Sequence, residues 1–339
     1  MIVARYGDSG TASLLSQVDD GYPFPFQRGY SEFLAHCGRG ELIVLFSRCG
    51  AICAPIRLFR RRVWRFGQFE YPPVEGGARL GKDEEAIFLE EAVRYLRASG
   101  ICHRIVQPAN YCLFQAVPSG ARFCQFGSYV LKLRGRSLDE LFHNMHPDHR
   151  RKIRKAVSDG AECRFGRSEL RTFFALHSRT MDRAQMGTGS FEEFESLFDV
   201  LPGYVICGVV YHHGTPQGAL FVLHTRRRAF YLCGGTAESV FPPGANRLLH
   251  WEAIKYCHGM GVEEYDFVGA RPRDVSGTKL EHIQRFKARF GAELRQGYLW
   301  KIDLHPWLVS MYDVVSSLKR RVLRRRAPNP DIIDQENFR

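Results

Sequence analysis

The sequence predicts an α/β fold in two domains with mixed sheets, followed by a basic C-terminal helix. Three observations carry this. The chain has 339 residues, more than one hydrophobic core usually spans. Its second half alternates helix and strand signals. Its last apolar stripe has helical spacing and runs into a cluster of arginines.

In the first half, Glu41 to Phe46 and Ala51 to Arg60 read as strands around the turn Ser47-Arg48-Cys49-Gly50, and Val63 to Phe69 as a third. Asp83 is placed to cap a helix carrying Ile87, Phe88, Ala92, Tyr95 and Leu96, which Gly100 stops. Ile101 to Val106 reads as a short buried strand. Tyr129, Leu131 and Leu133 alternate with Val130, Lys132 and Arg134, the period of a half-exposed strand. Ser137-Leu138-Asp139-Glu140 is a capping box. Pro147 then starts a helix that Gly160 ends. The expected division is therefore 1–145, 146–305 and a tail 306–339.

In the second half, helices are expected over 168–183 and, behind the capping box Ser190-Phe191-Glu192-Glu193, over 191–200. A hairpin follows, Tyr204 to Tyr211 and Gln217 to His224. Then come a strand from Ala229 to Cys233, a Gly/Pro loop, a helix from Ala245 to Met260 and a strand from Glu263 to Val268. Lys279 to Phe290 and Glu293 to Ile302 supply the last helix and strand. In the tail, Leu308, Met311, Tyr312, Val315, Leu318 and Val322 share a stripe. Lys319, Arg320, Arg321, Arg324, Arg325 and Arg326 follow it, and Ala327 to Arg339 is expected to fray.

The net charge of +12 and pI of about 9.3 favour an anionic partner such as RNA, a nucleotide diphosphate or an anionic membrane face. Ten cysteines are scattered through apolar stretches without a C-x-x-C pair, which suits buried thiols in a reducing compartment. His143 and His146 have metal-like spacing without a third ligand nearby and read as surface histidines, so no metal is expected. The N-terminal residues have no long apolar core, and no run approaches the roughly 20 residues of a membrane span. A cytoplasmic location is expected.

Five motifs occur in order. They are Arg151-x-x-Arg154-Lys155-Ala156, then Tyr231-Leu232-Cys233-Gly234-Gly235, then Gly244-Ala245-Asn246-Arg247-Leu248 leading to Trp251 and Ala253. Asp266-Phe267-Val268-Gly269 and Arg285-Phe286-Lys287-x-x-Phe290-Gly291 complete the set. Together they resemble the FemABX family, transferases that add amino acids from aminoacyl-tRNA to peptidoglycan precursors. Cys233 stands where the family pattern prefers Tyr, and no long heptad segment marks the helical arm of many relatives.

The resemblance implies two tandem GNAT-like domains, aminoacyl-tRNA as donor and an amine acceptor such as a cell-wall precursor. It implies no cofactor. By position Lys287 would bind the donor end and support transfer, with Phe286 beside it. Asp266 would orient an amine or a lysine, or cap the following loop. Gly244 and Asn246, at a helix N-terminus, can hold an anion or a carbonyl. Gly234 and Gly235 permit close backbone approach to a donor. Arg151, Arg154 and Lys155 share a helix face and could track phosphates, or simply be solvated.

An activated ester needs no enzyme nucleophile, and neither a Gly-x-Ser-x-Gly nor a Cys–His signature occurs. The rival is an acyl-CoA-dependent N-acyltransferase. Its usual Gln/Arg-x-x-Gly-x-Gly/Ala loop fails here at Phe241 and Asn246. A third reading is a non-catalytic protein that contacts RNA or a membrane surface through the basic tail.

Overall fold

A computed structural model describes the backbone of residues 1–322 and 330–337 and the side chains of 1–318 and 330–336. The side chains of Lys319, Arg320, Arg321, Arg324, Arg325 and Arg326, the basic cluster of the tail, lie outside the described residues.

The strands and helices run in the order β1 (Ile2–Arg5), α1 (Ala12–Leu15), α2 (Arg28–His36), β2 (Glu41–Phe46), β3 (Ile52–Arg61), β4 (Trp64–Phe69), β5 (Val74–Glu75), β6 (Ala78–Arg79), α3 (Lys82–Ser99), β7 (Arg104–Ile105) and β8 (Arg122–Lys132). They continue as α4 (Leu138–His143), α5 (Pro147–Ser158), β9 (Ala161–Phe165), α6 (Leu170–Arg183), α7 (Phe191–Val200), β10 (Val205–His212), β11 (Thr215–His224) and β12 (Arg228–Thr236). The chain ends α8 (Ala245–Gly259), β13 (Glu264–Asp266), α9 (Lys279–Ala288), β14 (Glu293–Asp303), α10 (Pro306–Val322) and α11 (Ile332–Asn337).

Contacts divide the chain into a first unit, 1–19, 34–127 and 296–339, and a second, 20–33 and 128–295. The junction expected at 145/146 falls inside the second unit.

In the first unit β1, β2, β3 and β4 pair antiparallel in sequence, β4 pairs parallel with β7, and Ile302 and Asp303 of β14 pair with β7. Alternating residues of β2 and β3 pack against Phe88, Leu89, Ala92, Val93 and Leu96, one face of α3. Gly100 ends α3 in the left-handed conformation, φ 60°, as its position predicts. The N-cap is Gly81, with Glu84 accepting from its backbone N–H at 3.1 Å; Asp83 lies within the first turn and does not cap.

In the second unit β9, β10, β11 and β12 form an antiparallel meander, β12 pairs parallel with β13, and β13 pairs antiparallel with Val130 to Lys132 of β8. α8 is buried through Leu248, Leu249, Trp251, Ala253, Ile254 and Cys257. Both expected capping boxes form, Ser137 with Glu140 and Ser190 with Glu193.

The final segment departs from expectation. Residues 332–337 form α11 instead of fraying, with Ile333 fully buried. Lys301 donates to Asp331 and to Asp334, each at 2.6 Å, which pins this short helix. No helix among the described residues is long and apolar enough to cross a membrane.

Candidate active site

The site lies within the second unit, where β13 ends and α9 packs over it. Lys287, on the last turn of α9, is buried. Its Nζ donates to the Val268 carbonyl and, at 2.7 Å, to the Gly269 carbonyl. The chain turns sharply there: Val268 has φ 41° and Gly269 φ 61°. A β-branched residue in this region is strained and persists only where its surroundings hold it. Asp266 does that holding. Its Oδ1 accepts from Val268 N–H at 2.8 Å and from the Ser128 hydroxyl, and Arg228 approaches Oδ2 at 3.9 Å. Asp266 thus braces the turn whose carbonyls accept from Lys287.

Two buried histidines pack on the Phe286 and Phe290 rings that flank Lys287 in sequence. His250, on α8, faces the rings of Tyr231, Phe267, Phe286 and Phe290 at 4.6 to 5.7 Å. His149, on α5, meets Phe286 and Phe290 at 5.6 and 4.9 Å and contacts the Phe286 carbonyl at 3.2 Å. Burial, aided by the Lys287 charge, pushes His250 down to about 3. Burial and Arg247 push His149 down to about 4. Both are neutral at physiological pH.

Burial also lowers the Lys287 ammonium to about 8, with Asp266 opposing the shift. The amine is mostly protonated at pH 7 and mostly neutral at pH 9. An unfolded lysine keeps its proton to about 10.5, so burial of the charge costs stability in full below pH 8. That cost, on the order of 3 kcal/mol, is relieved as pH rises from about 8 towards 10.5. We expect unfolding free energy, measured by urea titration at pH 7 and 10, to gain from this group in the native protein and not in Lys287→Met. An identical pH increment in both proteins would exclude a perturbed lysine.

The remaining expected residues are placed as follows. Phe286 is half-buried between His149, His250 and the Arg247 guanidinium, 5.8 Å above its ring. Gly244 lies against α5: a Cβ there would sit 2.0 Å from the Lys152 carbonyl oxygen. The Asn246 side chain lodges on Gly218 of β11. At this helix N-terminus the Ala245 N–H is already taken by Pro242 O, at 2.9 Å.

Gly234 and Gly235 allow close approach, and the groups that approach are the chain's own. A Cβ at Gly235 would meet the backbone of Leu176 and His177 of α6 at 2.4 Å, and one at Gly234 would meet Tyr231 Oη and the Ala219 carbonyl.

Arg151, Arg154 and Lys155 are exposed on α5. Arg151 pairs with Asp148 at 3.0 Å, Lys155 with Asp159 at 3.1 Å, and Arg154 lies over the Phe142 ring. Arg151 and Lys155 thus each face a carboxylate of their own helix surface, and Arg154 faces a ring. Asp148 gathers Lys152 and Arg289 as well and is driven down to about 2 by Lys152 foremost.

The structure thus brings Lys287, Asp266 and Phe286 into one cluster with Ser128, His149 and His250, and leaves the α5 cations outside it. Ser128 and His149 carry no sequence signal of their own. His250 has one: it lies four residues after Asn246, on the same helix face.

His143 and His146 are exposed, and His146 Nδ1 caps α5 by accepting from Asp148 N–H at 3.2 Å. Among the described residues no group of three or more His, Cys, Asp or Glu side chains could hold a metal ion.

Residues 144–278 match the acetyltransferase (GNAT) domain family. The fold is similar to that of FemX, with a TM-score of 0.66 at 13% identity, over 92% of this chain and 99% of that one. A tandem GNAT protein from the clavulanic acid biosynthesis pathway aligns with a TM-score of 0.51 at 11% identity, over 89% and 98% of the two chains. L-PGS from Bacillus licheniformis gives 0.50 at 13% identity, over 82% and 92%. No curated protein sequence matches. The match to the acetyltransferase (GNAT) model is confined to residues 144–278, and the fold is the mixed α/β fold of tandem GNAT proteins.

Proposed function

We propose that the protein is an N-acyltransferase that forms an amide bond by direct transfer of an aminoacyl group from aminoacyl-tRNA to an amine, as on a cell-wall precursor. The observation that carries this reading is the buried Lys287 amine held against the carbonyls of Val268 and Gly269. A tRNA ester is already activated. The enzyme has to position a neutral amine, offer a donor to the oxyanion and exclude water. A desolvated ammonium with three N–H bonds, two of them spent on carbonyls, has one left for that oxyanion.

A covalent acyl-enzyme fits the site poorly. Cys233, at the motif's Gly-Gly strand end, has its thiol pushed up to about 12 by burial. A thiol so protonated at neutral pH is a weak nucleophile. The acetyltransferase domain match favours a second reading, with acyl-CoA as donor. Against it, a pyrophosphate cradle needs several unpaired backbone N–H groups at the α8 N-terminus, and Ala245 has none to give.

Purified protein with a pool of tRNA carrying radiolabelled amino acids, or with radiolabelled acetyl-CoA, and a cell-extract acceptor pool separates the two. Label passing from tRNA into a base-stable amide is expected. Label moving only from CoA would overturn the donor assignment.

A further inference from the structure

The helix α10, in the first unit, has two apolar sides. One holds it to the β3–β4 hairpin: Trp64 Nε1 donates to Leu308 O at 3.0 Å, and the Tyr312 ring packs edge-on against Trp64 and Phe66 at 5.3 and 5.1 Å. The other side is bare. Trp307 is 65% exposed, Met311 53%, Val314 57% and Leu318 52%. Positions i, i+4, i+7 and i+11 fall on one stripe of a helix. Residues 307 and 311 precede 308 and 312 by about 100° of helix rotation, so the stripe adjoins the hairpin side. An apolar row of this length open to water marks an interaction surface.

The hairpin tip supplies charge. Arg60, Arg61, Arg62 and Val63 are all exposed, Val63 at 76%. Arg61 Nη1 donates to Tyr312 Oη at 3.2 Å, tying the tip to α10. Behind the tip, Arg39, Arg57, Arg60, Arg61 and Arg104 line a cleft of about 430 Å³ with Tyr312. Glu70 answers Arg57, and Asp303 and Asp313 answer Arg104; Arg60 and Arg61 have no carboxylate partner among the described residues.

We propose that the Trp307–Met311–Val314–Leu318 stripe and the arginine tip of the β3–β4 hairpin dock the protein on an anionic phospholipid bilayer. The apolar row would enter the acyl boundary, with Trp307 at headgroup depth, while Arg60, Arg61 and Arg62 meet lipid phosphates. Complementarity decides among occupants. RNA would answer the arginines and leave the aliphatic row in water. A second copy would cover the row and bring like charges together.

The test is co-sedimentation of the full chain with vesicles of phosphatidylcholine, alone or mixed with phosphatidylglycerol. Binding is expected to the mixed vesicles only and to weaken with salt. Val314→Asp should lower the partition coefficient about tenfold or more. Arg60→Gln should lower it about fivefold. Both sites are exposed, and unchanged circular-dichroism melts would verify that the variants fold. Trp307 emission should shift to the blue on anionic vesicles and be quenched by brominated acyl chains, with Trp307→Phe as control.

Equal binding to neutral vesicles, or a Val314→Asp variant that binds as well as the parent, would overturn the proposal. So would absence of vesicle binding, whether accompanied by a concentration-dependent dimer in sedimentation velocity or by tRNA binding that needs Arg60. None of these readouts depends on which acyl donor the enzyme uses.

Discussion

Replacing Lys287 by methionine is expected to cut amide-forming turnover by about 10²–10³-fold while leaving the acceptor KM nearly unchanged. The lysine's value lies in where its charge sits. Val268 and Gly269 carbonyls orient it, and the rings of Phe286, Phe290 and Phe267 keep water from its neighbourhood. An ammonium in such surroundings stabilises a developing oxyanion far more than one in solvent. Methionine keeps the length and apolar body of the stem, so packing survives. Below pH 8 the variant should even be more stable, since it buries no charge.

The pH profile gives a second handle. With Lys287 lowered to about 8, the parent should lose turnover as pH rises through that value. The methionine variant should show no falling limb there. Single-turnover rates with saturating charged donor would measure both. A variant as fast as the parent would remove Lys287 from the site.

What was legible in the sequence was local. Ser137 with Glu140, Ser190 with Glu193, Pro147 and Gly100 each state a helix end within a few residues, and each does so in the structure. Lys287 and Asp266 stood out because they sit in ordered motifs. Ser128 and His149 did not, because their roles depend on partners far away in sequence: the Ser128 hydroxyl reaches Asp266, and His149 reaches the Phe286 carbonyl. Helix α11 is faint in the sequence because only Ile332 and Ile333 mark it, and the residue that anchors it, Lys301, lies 30 positions from Asp331. The early part of β8 carries little strand signal for a different reason. Arg122-Phe123-Cys124-Gln125 exposes Phe123, 46% accessible, so the apolar alternation that identifies a strand is blurred there.

The two glycines near the end of β12 pose the sharper question, because spacing allows either a ligand or the chain itself to approach them. Gly235→Ala is expected to destabilise the second unit by about 3 kcal/mol or more, the scale of an overpacked core that cannot relax. The added methyl would stand 2.4 Å from the His177 nitrogen and from the Leu176 carbonyl carbon, and backbone cannot rotate aside as a side chain can.

The helix that would have to retreat, α6, is tied to the same strand. The His177 ring contacts Gly234 O at 2.9 Å, Thr236 N–H donates to Thr180 Oγ1 at 2.9 Å, and Arg183 donates to Thr236 O at 2.7 Å. Moving α6 would strain these bonds, each worth about 1 kcal/mol net. Urea unfolding of Gly235→Ala against the parent measures the cost directly. A large loss of stability assigns the glycine to the α6 packing. Parent-like stability combined with weakened donor binding would instead assign it to the ligand, and would mean that α6 yields more readily than its hydrogen bonds imply.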